Sequence, residues 1–338
     1  MIANKPIDRE VYQTELSAWL PAKIIDCHVH VVLDEHHPPM TPDQLKRNWA
    51  LEVGEAQTFA GLREVYDALF PKQEVAAIVF GTVMPESYTD LSNEYVLSGA
   101  TDPRSQTYGL FVSRPEWPAS RIEEAMSHGF RGIKPYPDLA GKETQEVSIY
   151  DFVPREHLNV LNELGGIMML HLPRAGRLGD PDNIREVLEI HEAYPGIKLI
   201  VAHVGRAYCL PTAERGLPPF ADAKGVYFDT SANLNADVFH LALEIVGAER
   251  MLFGSDLPIT TMRGVREYDG ERYINFTNGP YSWNTNRKSP EEEAKYTYFL
   301  YEEIKALIEA VKRAGLDREA LERIMYSNCA RLLRRAPE

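Results

Sequence analysis

Long apolar runs are missing from this sequence. Its 338 residues contain no stretch of about 18 consecutive apolar residues, the length needed to cross a bilayer. The first residues, MIANKPIDREVYQ, have neither the basic start nor the apolar segment of a signal peptide. We therefore expect a cytoplasmic protein that does not bind a membrane.

Cysteine and basic residues are also scarce. The three cysteines, Cys27, Cys209 and Cys329, lack the paired spacing of disulfide frameworks or zinc fingers, which favours a reducing compartment. The net charge of −14 disfavours nucleic acid and anionic membranes as partners, because both require concentrated lysine and arginine. A small molecule is the expected partner.

Glycine-rich phosphate-binding motifs are absent as well. Neither GxGxxG nor GxxxxGK[ST] follows a candidate strand, which disfavours nucleotide binding. What the chain does have is apolar material: 44% of its residues are hydrophobic and 10% are aromatic, enough to bury a sizeable core. The composition indicates a globular protein.

Eight short apolar runs, bounded by turn residues, predict eight β-strands. The runs are nearly continuous in apolar residues, as expected of parallel strands covered on both faces. Stretches of helical character lie between them, and this alternation predicts the α/β class and a closed (β/α)₈ TIM barrel. The predicted strands span residues 23–32, 74–82, 107–113, 130–137, 166–173, 197–205, 226–232 and 250–258.

Helix signals are clearest before strands five, six and eight, in REHLNVLNEL, DPDNIREVLEIHEAY and NADVFHLALEIVG. Asp180 is a candidate N-cap, and Pro181 follows it at the first helical position. Residues 290–338 predict two amphipathic C-terminal helices that close the barrel.

Two segments interrupt the alternation, residues 34–73 after strand one and residues 259–289 after strand eight. Both leave the carboxyl ends of their strands, which form the catalytic face of a barrel. We therefore predict that they are walls of the active site, and that residues 1–338 form a single domain. The same segments are candidate interfaces of a homo-oligomer.

Histidines and one aspartate fall at the predicted strand ends. His28 and His30 alternate along strand one and therefore point the same way. His171 ends strand five, His203 ends strand six, and Asp256 ends strand eight. Imidazole nitrogens with a carboxylate suit Zn²⁺ or another divalent first-row metal, so the set predicts a catalytic metal site.

The sequence resembles the amidohydrolase superfamily, in its amidohydrolase-related branch of metal-dependent hydrolases and decarboxylases. The resemblance spans nearly the whole chain and rests on DCHVH, GIKPYP, MLHLP, IVAHVG, FGSDLP and SNCARLL. It implies that His28, His30, His171 and Asp256 bind the metal and that His203 faces the water that the metal activates. One divalent metal is expected, zinc in the first place, with manganese or iron as alternatives.

Lys134 in GIKPYP leaves the metal count open. Some superfamily members carry a carboxylated lysine on strand four that bridges two metals, and with His203 as a ligand a two-metal site would result. Single-metal members also have a lysine here, where an ammonium group can bind a substrate carboxylate. We favour one metal, and a structural ion pair is a third reading of Lys134.

Basic residues cluster near the predicted barrel mouth. Arg114 follows strand three, Arg174 lies three residues after His171, and Arg206 lies three residues after His203. With Lys134, they predict an anionic substrate, because guanidinium groups bind carboxylates well. Weaker candidates for the pocket wall are Tyr136, Ser231 and Asn233.

Cys27 has inward-facing neighbours in strand one. Strict alternation therefore predicts that its side chain points outward into the helix layer, which argues against a nucleophilic role.

These predictions favour a hydrolase. The metal would lower the pKa of a water molecule, Asp256 would transfer protons, and His203 would orient the water, opening a lactone, an amide or a related bond. Alternatives on the same fold are a non-oxidative decarboxylase of an aromatic or unsaturated acid, a hydratase, and a metal-independent lactonase. A non-enzymatic binding protein is the contrasting class, disfavoured by the intact set of ligands.

Overall fold

Eight parallel strands form the centre of the computed structural model, which describes residues 2–38, 41, 49–54, 56–142 and 146–334. Each of the eight predicted runs contains one strand, so that prediction is confirmed. The strands are β1 (Lys23–His30), β2 (Glu74–Phe80), β3 (Thr107–Gly109), β4 (Gly132–Ile133), β5 (Ile167–Leu170), β6 (Lys198–Val201), β7 (Val226–Asp229) and β8 (Met251–Leu252).

The strands follow one another around a ring in chain order. Regular ladders form two sheets, one with the strand order β1-β2-β3 and the other with the order β4-β5-β6-β7-β8. Two isolated parallel bridges connect these sheets, Phe111 with Ile133 between β3 and β4, and Val29 with Leu257 between β8 and β1. The arrangement confirms the predicted (β/α)₈ barrel.

Helices surround the strands, as the alternation predicted. The three helices expected before β5, β6 and β8 are present, and the Asp180 side chain caps the second of them through the N–H groups of Asp182 and Asn183. The helices are α1 (Pro6–Val11), α2 (Trp49–Val53), α3 (Phe59–Leu69), α4 (Glu86–Ala100), α5 (Ser120–His128), α6 (Ile149–Phe152), α7 (Arg155–Glu163), α8 (Pro181–Ala193), α9 (Leu210–Gly216), α10 (Ala236–Ile245), α11 (Pro290–Glu293), α12 (Phe299–Arg313), α13 (Arg318–Glu322) and α14 (Asn328–Leu333).

The C-terminal residues close the amino-terminal end of the barrel. Leu332 of α14 is buried with the barrel interior, and its carbonyl accepts a hydrogen bond from Nζ of Lys198 at 2.7 Å, at the start of β6. The two predicted terminal helices are each interrupted, giving α11 to α14, and residues 335–338 lie outside the described part. Within the described ranges, no helix is long and apolar enough to cross a membrane.

A β-bulge in β1 reverses one prediction. Asp26 pairs with Ala77 and Val29 with Val79, so Cys27 and His28 together stand opposite one residue of β2. Cys27 accordingly packs in the interior apolar cluster rather than against the helices, and the predicted outward orientation is wrong. Its burial raises the pKa of the thiol well above the ordinary value, so the bulged position gives no reactive thiolate either.

The two segments that interrupt the alternation differ in structure. The first contains α2 and α3 in its described part, and residues 39–40, 42–48 and 55 of it lie outside that part. The second forms an antiparallel hairpin of β9 (Gly264–Asp269) and β10 (Arg272–Thr277), which the sequence analysis missed. Its signal was Gly270-Glu271, because a glycine with a positive φ, here 58°, suits the first position of a two-residue hairpin loop.

Candidate metal centre

His28, His30 and Asp256 converge at the carboxyl end of the barrel. The Oδ1 atom of Asp256 lies 3.2 Å from Nε2 of His30 and 3.7 Å from Nε2 of His28. Donor atoms that share one tetrahedral Zn²⁺ at about 2.1 Å lie about 3.4 Å from each other. The three side chains therefore form a candidate site for a divalent metal.

The backbone holds Asp256 against His28. Asp256 has φ of 59°, in the left-handed region, and its N–H donates to the carbonyl oxygen of His28 at 2.8 Å. This bond crosses the seam between β8 and β1. It ties the main chains of two candidate ligands directly to each other.

Asp229, the last residue of β7, determines which nitrogen of His28 faces the site. Its Oδ2 lies 3.0 Å from Nδ1 of His28. Because a carboxylate only accepts hydrogen bonds, Nδ1 carries the proton and Nε2 keeps its lone pair for a metal.

His203 is presented by a left-handed turn, since His203, Val204, Gly205 and Arg206 have φ values of 57°, 49°, 64° and 61°. Its Nδ1 lies 3.0 Å from the carbonyl oxygen of Ser231 and 2.9 Å from the Ser231 hydroxyl. The carbonyl can only accept, so Nδ1 is the protonated nitrogen and Nε2 has the free lone pair.

One carboxylate thus supports both histidines. The Oδ1 atom of Asp229 accepts from the backbone N–H of His203 at 2.8 Å and from the Ser231 hydroxyl at 2.5 Å, while Oδ2 accepts from His28. The sequence analysis missed Asp229 as a member of the site. Its place at the carboxyl end of a strand, as for the histidines, was the available signal.

Asp26 is a second buried carboxylate behind the ligands. It accepts from the N–H of His28 at 3.2 Å, from the N–H and hydroxyl of Ser255 at 2.8 and 2.5 Å, and from the hydroxyl of Tyr66 at 2.8 Å. Burial raises the pKa of Asp26 to about 7, although these hydrogen bonds act in the opposite direction.

Electrostatics keeps two of the candidate ligands, His28 and Asp256, in the forms that bind a metal. Burial lowers the pKa of His28 well below its ordinary value, and the positive charge of Lys134 adds to the effect, so the imidazole is neutral. Burial by itself raises the pKa of Asp256, but the hydrogen bond with His30 and the nearby histidines lower it overall. The carboxylate is therefore ionised.

His171, the fourth predicted ligand, follows β5 and faces His203, with the ring centroids 5.3 Å apart. Among the described residues, it lies outside the group of donor atoms within 4.8 Å of one another that His28, His30 and Asp256 form. Burial lowers the pKa of His171 well below its ordinary value, and the charge of Arg206 adds to the effect, so this imidazole is also neutral. Its role as a ligand stays a prediction.

A cavity of ≈ 530 Å³ opens above these residues and is lined by all five of the predicted metal-site side chains. Ala50 and Gly54 of the first segment contribute to its apolar side, with Pro258 and Ile259 at the start of the second. The segments also touch each other, because the Glu52 carboxylate accepts from the N–H of Ser282 at 2.6 Å. Both therefore contribute to the wall over the barrel mouth.

Lys134 and Tyr136 line the same cavity. The buried Nζ of Lys134 lies 5.0 Å from the ring centre of Phe80 and 5.2 Å from that of Tyr136, and no described residue gives it a hydrogen bond or an ion pair. Burial lowers the pKa of Lys134 to about 8. The hydroxyl of Tyr136 donates to the carbonyl oxygen of Gly81 at 2.7 Å.

The predicted arginines do not form one cluster. Arg114 pairs with Glu116 at 2.6 Å, and Arg174 pairs with Glu186 at 3.3 Å and lines a separate cavity. Both guanidinium groups are therefore already neutralised away from the candidate metal. Only Arg206 lies near the site, where it donates to the carbonyl oxygen of Leu172 at 3.3 Å and its charge acts on His171.

A model of the family described as Amidohydrolase matches residues 25–335. No curated protein matches the chain.

Solved structures share the fold at low identity. An amidohydrolase from Burkholderia multivorans with bound zinc has a TM-score of 0.60 at 15% identity, covering 93% of this chain and 100% of that one. A probable 2-pyrone-4,6-dicarboxylic acid hydrolase from Acinetobacter baumannii, with citric acid bound, has a TM-score of 0.54 at 15% identity, covering 92% and 98%. A 5-carboxyvanillate decarboxylase from Novosphingobium aromaticivorans, complexed with manganese, has a TM-score of 0.55 at 13% identity, covering 92% and 95%.

Proposed function

The chain belongs to the amidohydrolase family of metal-dependent enzymes, and from this premise we propose that it hydrolyses a lactone, an amide or a related bond in a small carboxylate-bearing substrate. The observation that carries the proposal is that three metal-type donors and His203, whose Nδ1 is bonded to Ser231, line one cavity. A metal-dependent hydrolytic site needs both a metal position and a group that transfers protons.

The donor set fits one divalent metal, for which we propose zinc. His28, His30 and Asp256 would hold it, and His171 is proposed to complete the set. When bound in such a site, a divalent metal lowers the pKa of water and polarises the carbonyl group of the substrate.

A single metal is favoured over two because the second group of possible donors is already occupied. That group consists of His28, His203 and Asp229. Both oxygens of Asp229 accept hydrogen bonds, Oδ2 from His28 and Oδ1 from the N–H of His203, so this group offers no free carboxylate to a second metal. The surroundings of Lys134 are two aromatic rings, which suit an ordinary ammonium group.

Asp256 and His203 are proposed to move protons. The Asp256 carboxylate lines the cavity, where it can take a proton from the attacking water and return it to the leaving group. His203 has its Nε2 lone pair free, so it can orient that water or stabilise the charge that develops on the substrate.

Lys134 and Arg206 are proposed to bind the substrate carboxylate. Lys134 is the stronger candidate, because a buried ammonium without a described acid partner is stabilised by an incoming anion. Two of the similar structures are described as acting on carboxylic acids, a pyrone dicarboxylic acid and carboxyvanillate. Their descriptions are in line with an anionic substrate.

The test is a panel of carboxylate-bearing lactones and amides, each paired with its neutral methyl ester at the distal carboxylate, assayed with the zinc-loaded protein. We expect the acids to react with a kcat/KM at least about tenfold above their neutral partners, since a charge-assisted bond is worth roughly 1.5–3 kcal/mol. Lys134→Met should remove that preference, whereas Arg114→Met, at a residue paired with Glu116, should keep it.

Two outcomes would contradict the proposal. Release of CO₂ from aromatic or unsaturated acids, with no hydrolysis in the panel, would make the chain a decarboxylase. Equal reactivity of acids and neutral partners would reject the carboxylate-bearing substrate and return Lys134 to a structural role.

A further inference from the structure

Arg177 stands out because no described acid neutralises its charge. It begins a short 3₁₀ turn, Arg177–Gly179, in the loop that follows β5. In the part of the chain that the structure describes, its guanidinium group makes neither a hydrogen bond to a protein group nor an ion pair. A free guanidinium is unexpected in a chain of net charge −14, where acids are abundant.

Two tyrosine rings hold this guanidinium near His203. The Cζ atom of Arg177 lies 5.3 Å from the ring centre of Tyr208 and 5.4 Å from that of Tyr273. The two rings pack edge to face with centroids 5.0 Å apart, and the Tyr208 ring lies 6.5 Å from the ring of His203. The Tyr208 ring thus connects the guanidinium group of Arg177 with His203, which lines the cavity.

A second guanidinium shares the same rings. Arg266 of β9 lies 4.9 Å from the ring centre of Tyr208 and 4.7 Å from that of Tyr273. It donates to the carbonyl oxygen of Ala232 at 2.7 Å and to Oδ1 of Asn275 at 2.8 Å, which fixes the hairpin onto the end of β7. No described carboxylate pairs with Arg266, so the local charge stays positive.

The backbone of Arg177 is fixed in a conformation that an arginine does not adopt without cost. Its φ is 57°, in the left-handed region. Its carbonyl oxygen accepts from Nδ2 of the buried Asn183 at 2.8 Å, and its N–H donates to the carbonyl oxygen of Arg174 at 2.9 Å. Such enforced conformations are concentrated at functional positions.

We propose that Arg177, supported by Arg266 and Tyr208, binds a second carboxylate of the substrate, so that the enzyme selects small dicarboxylic acids. The inference rests on the proposed function for the location of the reacting bond. It adds a distal anchor on the His203 side, separate from Lys134. Guanidinium and tyrosine hydroxyl groups together suit a carboxylate, which accepts several hydrogen bonds at once.

Binding of non-reacting acids to the zinc-loaded protein tests this anchor without any turnover. Calorimetry measures the binding of succinate, glutarate and adipate and of their monomethyl esters. Each ester has one negative charge less than its diacid at nearly the same length. In the wild-type protein we expect at least one diacid to bind about tenfold or more tightly than its monoester. Arg177→Met and Arg177→Gln should bring the two affinities together, and Arg177→Lys should retain part of the difference.

Arg185→Met is the matched control, because Arg185 is exposed on α8 and pairs with Asp182 and Glu189. It should keep the wild-type preference. The proposal is overturned if no diacid is preferred by the wild-type protein, or if the preference survives in both neutral Arg177 variants. A preference that depends on Arg177, together with no hydrolysis in the panel, would leave the anchor in place and reject only the hydrolase.

Discussion

At the scale of single residues, strained backbone is concentrated around the candidate metal centre. A left-handed conformation costs a residue other than glycine about 1–2 kcal/mol. Hydrogen bonds have to hold such residues in place, as those of Asp229 and Ser231 do for His203. The residues concerned at the barrel mouth are Arg177, His203, Val204, Arg206, Ala232 and Asp256.

The His203 side chain should matter for turnover more than for metal binding. Its Nδ1 is bonded to Ser231, and its Nε2 is free for a water molecule or substrate. We expect His203→Asn to retain metal and to lower kcat by about 100-fold or more, the size of effect typical of positioned acid–base groups. Elemental analysis and steady-state kinetics measure the two effects separately.

Two control variants accompany that experiment, His30→Ala for loss of the metal and His240→Asn for no effect. His30→Ala should lose the metal, because its Nε2 lies 3.2 Å from Asp256 in the donor group. His240 pairs with Glu244 on α10, so His240→Asn should change neither metal content nor kcat. Unchanged kcat in His203→Asn would remove this residue from the mechanism.

At the scale of elements, α12 supports the loop after β7 through one buried acid. The carboxyl group of Glu303 accepts from the hydroxyl of Thr230 at 2.9 Å and from the N–H of Ala232 at 2.9 Å. These residues flank Ser231, which holds His203. The helix therefore positions the catalytic face from outside the barrel.

Glu303 should make stability fall as the pH rises. Burial raises the pKa of Glu303 well above 4.5, so the folded protein holds this proton more tightly than the unfolded chain does. Above pH 4.5 the unfolded state loses the proton first, and the free energy of unfolding decreases until the pH passes the folded-state pKa. The slope from one such group reaches about 1.4 kcal/mol per pH unit.

Urea unfolding between pH 4.5 and 7 checks this dependence. Relative to wild type, Glu303→Gln should become more stable as the pH rises, because glutamine does not titrate. Glu309→Gln, at an exposed position on the same helix, should show no such trend. A difference between Glu303→Gln and wild type that is constant with pH would contradict the prediction.

At the scale of the whole molecule, the candidate metal centre bridges the seam that closes the barrel. The β8 side joins β1 there through an isolated bridge between Val29 and Leu257, without a regular ladder. His28 and His30 lie on one side of this seam, and Asp256 lies on the other. A bound metal would therefore crosslink the first and last strands.

Metal removal should accordingly lower the thermal stability. A ligand at a hundredfold excess over its Kd stabilises the folded state by about 2.7 kcal/mol, which corresponds to a Tm increase of roughly 4 °C for a domain of this size. Scanning calorimetry with zinc, with manganese and with a chelator measures the shift. The Asp256→Asn variant should lose most of the Tm shift. The Asp237→Asn variant, changed at an exposed position on α10, should keep the full shift. Equal shifts in both variants would indicate binding elsewhere.

The sequence by itself determined the barrel and the strand ends at which the candidate ligands lie. Continuous apolar runs are required where strands are covered on both faces, so all eight strands could be located. The histidines and Asp256 fall at the ends of those runs. Because parallel strands end on the same side of a barrel, this was enough to predict that their side chains line one cavity. Such patterns depend only on residues that are neighbours in the sequence, so they can be recognised without the structure.

Only the tertiary structure decided which side chains work together at that mouth. The bulge in β1 turned Cys27 inward, since one extra residue breaks the alternation on which the prediction relied. The sequence analysis predicted Arg174 as a substrate-binding residue and did not single out Arg177, but Glu186 neutralises Arg174, whereas no described acid pairs with Arg177. Long side chains and buried carboxylates such as Asp229 take their partners from other elements, and that choice depends on packing in three dimensions.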